Sequence, residues 1–350
     1  MYQYLIVMTV EEKYMQRCFD LARLGAGQVS PNPMVGAVLV HENRIIGEGY
    51  HARYGTAHAE VNAVANVAPE DLHLLPNTCL YVSLEPCCIH GNTPPCTDLI
   101  IRHKIPKVVI SCLDFTPEVH GNGVEILRNA GVEVVTGVLE EKGRQLSVAR
   151  RTFVQKHRPY TILKYAQTPE GFLARADREP IWISNAYSKR LVHKWRSEVD
   201  AILVGTNTAR LDNPALTTRH YFGKSPLRIV IDKKRSLPPH LAIFDQSHPT
   251  LVYNDLIDKT EGAVTYQKLD FTNFPNAIMQ DLYQRKISNL LVEGGASILQ
   301  QFVEADLWDE ARVIVGNVFI SKGIAAPILP VKPEKPIQLG EDVLKIFRNS

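Results

Sequence analysis

The stretch Leu80-Tyr81-Val82-Ser83-Leu84-Glu85-Pro86-Cys87 decides the fold of the first half of the chain. Its apolar beginning predicts a buried strand, and the thiol of Cys87 follows that strand directly. Other apolar runs and stretches of helical spacing surround it, the runs at 35–40, 108–112 and 132–136 and the helical stretches at 59–67, 97–103 and 123–130. Before them, Thr9 and Glu12 form a capping-box pattern that predicts a first helix ending near Gly25. This alternation predicts an α/β sheet covered on both faces.

The length of the chain, 350 residues, predicts two domains, because a single core stops growing near ~250–300 residues. A charged stretch at 140–157 predicts one helix that ends before Arg158-Pro159, since the residue before a proline is disfavoured in helical geometry. We therefore predict domains at residues 1–157 and 158–350. The second is again α/β, with strands predicted at 160–166, 201–204, 228–231, 251–253 and 290–292 and helices at 186–197, 277–285 and 298–304.

Composition excludes several classes of protein. The chain has 39 basic and 37 acidic residues, a balance too even to favour nucleic acid or an anionic membrane. Without a run of ~18 apolar residues or a secretion signal, we expect a cytoplasmic protein. All six cysteines lie in the first third, and clustered cysteines in a reducing compartment indicate metal binding or catalysis rather than disulfides.

The strongest group of candidate site residues combines His58-Ala59-Glu60 with Cys87 and Cys96. One imidazole and two thiolates leave the fourth tetrahedral position of a zinc ion for water, as in catalytic sites. Glu60 follows His58 by two residues, so its carboxylate can reach that position and move a proton from the water to a leaving amine. This pattern predicts hydrolytic deamination.

The surrounding segments are specific enough to carry a family resemblance. The blocks 31–36, 47–51, 84–87 and 90–96 resemble the pyrimidine deaminase domain of bifunctional riboflavin-biosynthesis deaminase-reductases. The resemblance implies a cytidine-deaminase-like three-layer α/β/α fold and substrate contacts from Asn32 and His51; Asn32 could instead only shape its turn. Where the family usually has Ser-His and a basic residue, this chain has Cys88-Ile89 and Asn92, which puts phosphate binding in doubt unless His90 substitutes.

The second half resembles the reductase domain of the same family, whose fold is dihydrofolate-reductase-like. The similar segments are Asp200-Ala201-Ile202-Leu203-Val204-Gly205, the stretch 211–219, the strand at 228–232 and Glu293-Gly294-Gly295. The resemblance implies NADPH-dependent reduction of a ribosyl group to ribityl, with the cofactor contacted by Ala166, Trp182, Thr208, Asp212 and Gly295. It implies substrate contacts from Arg196, Leu216, Arg219 and Glu293, with two guanidiniums clamping a phosphate, and Lys164 could complete that pocket.

Three further features of this half bear on the cofactor and the substrate. The cations of Lys233-Lys234-Arg235 directly follow a predicted strand, where they could receive the extra phosphate of NADPH; a solvated turn is the alternative. Thr168-Pro169-Glu170-Gly171 replaces the family's Ser-Leu-Asp-Gly, but it keeps a hydroxyl and the turn glycine, so we expect the fold to survive. Pro180 replaces a serine and removes a possible hydrogen bond to the substrate.

These observations predict a bifunctional enzyme that deaminates a phosphoribosylated diaminopyrimidinone and then reduces its ribose. The expected partners are small pyrimidine ribose phosphates, without nucleic acid or membrane, and a homo-oligomer is left open. The alternative is a nucleobase or nucleic-acid zinc deaminase with an accessory nucleotide-binding domain, against which stands the net charge of −2 over residues 1–157. A zinc-stabilised binding protein would have no use for Glu60.

Overall fold

The computed structural model describes residues 8–91, 94–177 and 179–349. The chain divides into two compact units, Met1–Lys156 and His157–Ser350. Among the described residues, every helix is too short or too polar to cross a membrane.

The first unit is built on a five-stranded sheet with the order β2-β1-β3-β4-β5. Strand β1 is antiparallel to both of its neighbours, whereas β3, β4 and β5 are parallel to one another. The strands are β1 (Gly36–His41), β2 (Arg44–Tyr50), β3 (Cys79–Leu84), β4 (Lys107–Cys112) and β5 (Glu133–Thr136). The helices are α1 (Val10–Arg23), α2 (Ala59–Ala65), α3 (Cys96–Arg102), α4 (Asn122–Asn129), α5 (Glu140–Leu146) and α6 (Val148–Lys156), with a 3-10 helix at Pro69–Asn77.

Helices cover both faces of this sheet, because alternate residues of each strand point to opposite sides. Leu39 and Leu80 pack in one buried cluster with apolar residues of α2, α3 and α4. Val38 and Tyr81 pack in another cluster with α1, and Leu146 of α5 packs against it. The predicted three-layer α/β/α fold is confirmed, as is the capping box of α1, in which Thr9 and Glu12 bond reciprocally.

Two local predictions in this unit were wrong or incomplete. The single helix expected at 140–157 is two helices, because the chain leaves helical geometry at Ser147 between α5 and α6. Strand β2 was not predicted, because Gly47 and Gly49 weaken its pattern. These glycines let α2 approach the sheet: a Cβ on Gly49 would lie 2.3 Å from the backbone nitrogen of Ala63.

The second unit contains a ten-stranded sheet with the order β11-β12-β10-β9-β8-β13-β6-β14-β17-β16. The strands are β6 (Tyr160–Gln167), β7 (Phe172–Arg175), β8 (Ala201–Gly205), β9 (Leu227–Ile231), β10 (Thr250–Asn254), β11 (Lys259–Glu261), β12 (Val264–Lys268), β13 (Asn289–Val292), β14 (Glu310–Val315), β15 (Gly323–Ala325), β16 (Ile337–Leu339) and β17 (Asp342–Arg348). The helices are α7 (Ala186–Glu198), α8 (Thr206–Asp212), α9 (Asn276–Gln284) and α10 (Ala296–Glu304), with 3-10 helices at Ala242–Phe244 and Phe271–Asn273.

In the order of the sheet, the strands β12, β10, β9, β8, β13, β6 and β14 are all parallel to their neighbours. Their carboxyl ends therefore lie at one edge of the sheet. All predicted strands and helices of this unit are present. The elements that were missed are α8 and the strands β7, β11, β12, β14, β15, β16 and β17. The stretch 327–350 had no sequence interpretation, and the structure shows that it contains the strands β16 and β17. The carboxylate of Asp342, at the beginning of β17, accepts hydrogen bonds from Asn185 and Ser188 at the beginning of α7.

The close approach of α2 to β2 generates a stability prediction. We expect G49A to lower the free energy of unfolding of the first unit by about 1–3 kcal/mol, because the added methyl group must displace the backbone of α2. Urea unfolding followed by circular dichroism measures the change. The matched control is G91A, since a Cβ on Gly91 meets nothing within 4 Å; equal midpoints for the two variants would contradict this account of the packing.

Candidate active sites of the two units

The predicted zinc ligands lie together in the first unit. His58 is the N-cap of α2, Cys96 is the first residue of α3, and Cys87 lies in the loop after β3. Nδ1 of His58 is 3.4 Å from the sulfur of Cys87 and 3.4 Å from that of Cys96. The three ligand atoms all lie within 4.8 Å of one another.

The donor set fits a zinc ion. With Zn–S bonds of about 2.3 Å and Zn–N bonds of about 2.0–2.1 Å, tetrahedral geometry places the ligand atoms ~3.5–3.8 Å apart. The observed nitrogen-to-sulfur separations of 3.4 Å are close to these values. The Cys96 thiol and the His58 ring also hold the pKa of Cys87 well below that of an ordinary thiol. A thiolate is therefore favoured at this position.

Glu60 lies one residue inside α2, beside the cluster, and its side chain is buried, with 4% of its surface exposed. Burial and the negative charge of Cys87 raise the pKa of Glu60 to about 7. A carboxyl group with such a pKa can both accept and release a proton near neutral pH, which general acid-base chemistry requires. The geometry therefore places a carboxyl group that can exchange a proton next to three atoms that could hold a metal ion.

The other two predicted deaminase residues, Asn32 and His51, contact each other next to this cluster. The His51 ring, 2% exposed, packs edge-on against the His58 ring with centroids 5.4 Å apart. Its Nδ1 donates to the carbonyl oxygen of Ala57 at 3.0 Å, and the amide nitrogen of Asn32 lies 3.2 Å from its Nε2. Since burial lowers the pKa of His51, the neutral ring accepts from Asn32. Asn32 is thus linked to the ligand cluster through the ring of His51.

Glu85, which sequence reasoning missed, supports the loop that carries Cys87. Its buried carboxylate accepts hydrogen bonds from the backbone N–H groups of Asp114, Gly121 and Val124 at 3.2, 2.9 and 3.1 Å. These donors belong to the loop after β4 and to the beginning of α4. A carboxylate satisfied by three N–H groups fixes the position of the chain just before Cys87.

The departures from the family pattern leave the ligand cluster intact. The thiol of Cys88 donates to the carbonyl oxygen of Glu118 at 3.7 Å, so it points away from the cluster. Asn92 lies outside the described residues, and His90 is exposed. In the second unit, Thr168 accepts a hydrogen bond from the N–H of Phe172, and Gly171 has the positive φ of 90° that its turn requires. The expected survival of that turn is confirmed.

The centre of the candidate site in the second unit is a partly buried cluster of Glu293, Arg196 and Lys164, whose side chains are 7%, 11% and 16% exposed. The guanidinium of Arg196 donates to both carboxylate oxygens of Glu293, at 2.9 and 2.7 Å. The amine of Lys164 lies 3.8 Å from the same carboxylate. Burial favours the neutral form of Glu293, but the two cations outweigh it and hold its pKa at about 2. Burial lowers the pKa of Lys164.

A neighbouring loop carries Leu216 and Arg219. Nη1 of Arg196 donates to the carbonyl oxygen of Thr217 at 3.3 Å, and Nδ1 of His193 accepts from the backbone N–H of Arg219 at 3.0 Å. The guanidinium of Arg196 is therefore engaged by protein groups, and Arg219 is the exposed residue of the two. The two guanidiniums predicted to clamp a phosphate thus have different surroundings, and His193 is a residue that sequence reasoning missed.

The Gly294-Gly295 turn fits the close approach of a dinucleotide. It follows β13 and begins α10, and Gly294 has a positive φ of 142°. The N–H of Gly295 donates to the hydroxyl of Thr208 at 2.9 Å, so β13–α10 and α8 are joined at this edge. A Cβ on Gly295 would lie 3.1 Å from that hydroxyl. The first N–H groups of a helix lack intrahelical partners and suit phosphate oxygens.

The remaining predicted cofactor residues are more dispersed. Asp212, the last residue of α8, is exposed, and Ala166 on β6 packs against a buried cluster that includes Trp195. Trp182 is 77% exposed, and the amine of Lys189 lies 5.1 Å from its ring centroid.

The basic cluster after β9 makes contacts of its own. The amine of Lys233 lies 5.4 Å from the ring centroid of Phe271, and Lys234 pairs with Asp255 at 2.7 Å. Arg235 lies over the ring of Tyr266. The three cations are therefore exposed along the loop, and each contacts a neighbouring side chain.

Comparisons with protein families show to which class of protein the chain belongs. Residues 8–112 match the cytidine and deoxycytidylate deaminase zinc-binding region, and residues 159–332 match the RibD C-terminal domain. The chain is thus a deaminase joined to a reductase. The alternative of a nucleobase or nucleic-acid deaminase with an accessory domain is not favoured.

Relatives along the whole chain identify the family. The riboflavin biosynthesis protein RibD of Aquifex aeolicus is 36% identical over 98% of this chain and 99% of the relative, and that of Synechocystis is 34% identical over 91% and 88%. The crystal structure of the Thermotoga maritima diaminohydroxyphosphoribosylaminopyrimidine deaminase/5-amino-6-(5-phosphoribosylamino)uracil reductase superposes with a TM-score of 0.90, 35% identity and coverage of 97% and 99%. This chain belongs to the RibD family, the bifunctional deaminase-reductases of riboflavin biosynthesis.

The charge cluster of the second unit generates a prediction on pH-dependent stability. We expect E293Q to be about 3 kcal/mol less stable at pH 7, because Arg196 and Lys164 lose the charge that compensates their burial. The folded pKa of Glu293 is about 2, below its ordinary 4.5, so the stability that its charge contributes is present above pH ~4.5 and falls away toward pH 2.

The difference in stability between the parent protein and E293Q should therefore shrink between pH 5 and pH 3. Urea unfolding at each pH measures it. The control is E304Q, a substitution on the exposed surface of α10, for which we expect a change within about 0.5 kcal/mol. A difference that stays constant over this pH range would show that Glu293 is not held ionised by its two cations.

Proposed function

We propose that residues 1–157 deaminate a phosphoribosylated diaminopyrimidinone with a zinc ion held by His58, Cys87 and Cys96. The observation that carries this proposal is the convergence of the three ligand atoms with the buried carboxyl group of Glu60. The name of the Thermotoga maritima relative supports the choice of substrate. Asn32, oriented by His51, is the polar group proposed to contact the pyrimidine.

Glu60 has the central chemical role in this deamination. Zinc, when bound, supplies the Lewis acidity that makes water a nucleophile near neutral pH. Glu60 takes a proton from the attacking water and delivers it to the leaving amino group, so that the C–N bond breaks, ammonia departs and the carbon keeps the oxygen. Its burial keeps bulk water from competing for that proton.

We further propose that residues 158–350 reduce the ribosyl group of the deaminated product to ribityl with NADPH. Thr208, Asp212 and the Gly295 turn would hold the cofactor at the carboxyl edge of the sheet, with Ala166 and Trp182 as further contacts. NADPH, when bound, supplies the hydride that the first sugar carbon accepts once the ring has opened. Lys164 can protonate the ring oxygen as its bond to that carbon breaks and the carbon becomes doubly bonded to the amine nitrogen, while Glu293 contacts the sugar and Arg219, with Arg196 behind it, binds the phosphate.

The deaminase assignment predicts separable activities. We expect E60Q to keep its zinc but to lose deamination by a factor of ~10²–10⁴, because an amide cannot carry a proton. Reduction of the deaminated substrate should persist, since its proposed residues all lie in the second unit. Incubation with the diaminopyrimidinone phosphate, with and without NADPH, followed by mass spectrometry distinguishes the two steps.

Metal analysis completes this test. C96A should lose the bound zinc, whereas C88A, the matched thiol that points to Glu118, should keep it. Full zinc content in C96A would overturn the ligand assignment. Loss of both activities in E60Q would overturn the assignment of one activity to each unit.

The cofactor assignment rests on Lys233 and Lys234, which follow β9 at the carboxyl edge of the sheet. The extra phosphate of NADPH in a charge-assisted contact is worth ~1.5–3 kcal/mol, roughly ten- to a hundredfold in affinity. We therefore expect the parent enzyme to prefer NADPH over NADH and K233A/K234A to lose most of that preference. A higher salt concentration should also weaken the preference for NADPH, because salt screens the contact between the lysines and the phosphate.

Steady-state kcat/KM with each cofactor measures this preference. The matched control is K332A/K335A, a pair of exposed lysines in the segment before β16, which should leave the ratio unchanged. A parent ratio below about threefold, or an unchanged ratio in K233A/K234A, would refute this role for the two lysines.

A further inference from the structure

We propose that His193 is a positioning residue of the reductase site, which sets the conformation of the loop at 216–220 and so aims Arg219 at the substrate. The inference rests on the proposed function in one respect, the contact of Arg219 with the substrate phosphate.

The ring of His193 is joined to the backbone of this loop. It lies on α7, is 3% exposed, and its Nδ1 accepts a hydrogen bond from the backbone N–H of Arg219 at 3.0 Å. A backbone N–H can only donate, so Nδ1 must carry a lone pair and the ring proton sits on Nε2. The ring of His220 meets it edge-on at 4.7 Å between centroids. His193 thus fixes the peptide unit from which the Arg219 side chain emerges.

A second anchor fixes the other side of the same turn. Arg196, three residues after His193 on α7, donates to the carbonyl oxygen of Thr217 at 3.3 Å while it pairs with Glu293. The two α7 side chains therefore hold the loop on both sides of Thr218. Through Arg196 the loop is tied to the buried charge cluster, so its position relative to Glu293 is set.

The loop needs such anchors because its backbone is strained. Leu216 has a φ of 54°, in the left-handed region, and its side chain is only 1% exposed. For a residue other than glycine this conformation is unfavourable and persists only where the surroundings fix it. Without the acceptor of His193, the loop would lose one of the hydrogen bonds that oppose relaxation.

The electrostatic surroundings keep His193 able to accept. Burial, together with the charges of Arg196, His220 and Arg219, lowers the pKa of His193 to about 4, although Glu293 acts in the opposite direction. The ring is therefore neutral at neutral pH. The Nδ1 lone pair, on which the contact with Arg219 depends, is present under working conditions.

Three substitutions separate the acceptor from the bulk of the ring. H193F keeps the ring but has no acceptor. H193N places an amide oxygen at the position of Nδ1, whereas H193Q carries its oxygen one bond further along the side chain. The matched control is H240F, a substitution of an exposed histidine in the segment after β9.

The experiment is steady-state reduction of the deaminated phosphoribosylaminopyrimidine by the full-length enzyme, with the pyrimidine varied at saturating NADPH and NADPH varied at saturating pyrimidine. We expect H193F and H193Q to raise the KM for the pyrimidine about tenfold or more while the KM for NADPH stays within twofold. H193N should bring the pyrimidine KM to within about threefold of the parent value, and H240F should leave it unchanged. A residue that only fills the core would not show this split between the two KM values or this rescue.

R219A distinguishes a failure of this inference from a failure of the proposed function. If R219A and H193F each raise the pyrimidine KM and the double variant is no worse than R219A alone, then His193 acts through Arg219. A raised KM in R219A together with an unchanged KM in both H193F and H193Q would overturn the inference and leave the proposed function standing. An unchanged KM in R219A would overturn the role of Arg219 itself, and fully additive effects would overturn the coupling. If H193F does not fold, H193Q against H193N gives the same decision.

Discussion

Burying a carboxylate costs several kcal/mol unless cations or hydrogen-bond donors compensate for the lost water, and each unit of this chain buries one at its site. Glu60 is buried, and this burial together with the charge of Cys87 raises its pKa to about 7. Glu293 lies between Arg196 and Lys164, and its pKa falls to about 2. The first carboxyl group can therefore exchange a proton, whereas the second remains a fixed negative charge that orients its neighbours. One residue type serves two different kinds of chemistry because its surroundings differ.

Two departures from the family pattern, at Cys88 and Thr168, fall where this electrostatic arrangement does not depend on them. Cys88 occupies a family serine position, and its thiol is directed to the Glu118 carbonyl, so the three ligand atoms keep their separations. Thr168 replaces a serine and still accepts a hydrogen bond within its turn. Neither change adds or removes a charge next to Glu60 or Glu293.

Sequence alone predicted the parts of this protein that are encoded by local spacing. His58 and Glu60 are two residues apart at the beginning of a helix, and Cys87 follows a strand, so pattern and chemistry coincide there. Strand β2 escaped prediction because its glycines serve the packing of α2 rather than the strand itself. The helix at 140–157 was predicted as one because its apolar spacing continues across the break at Ser147. In β2, a tertiary contact overrode the local preference.

The residues that sequence reasoning missed share a physical property: their partners are backbone groups. Glu85 binds three N–H groups of a loop and a helix that follow it by about 29–39 positions. His193 binds the N–H of Arg219, 26 positions away. Every residue except proline offers the same N–H group, so the letter at the partner position carries no signal of such a contact. A buried polar side chain near a motif is therefore a candidate site residue even when the sequence offers no complementary side chain. Its partner can be a backbone group of the loop whose position the site requires.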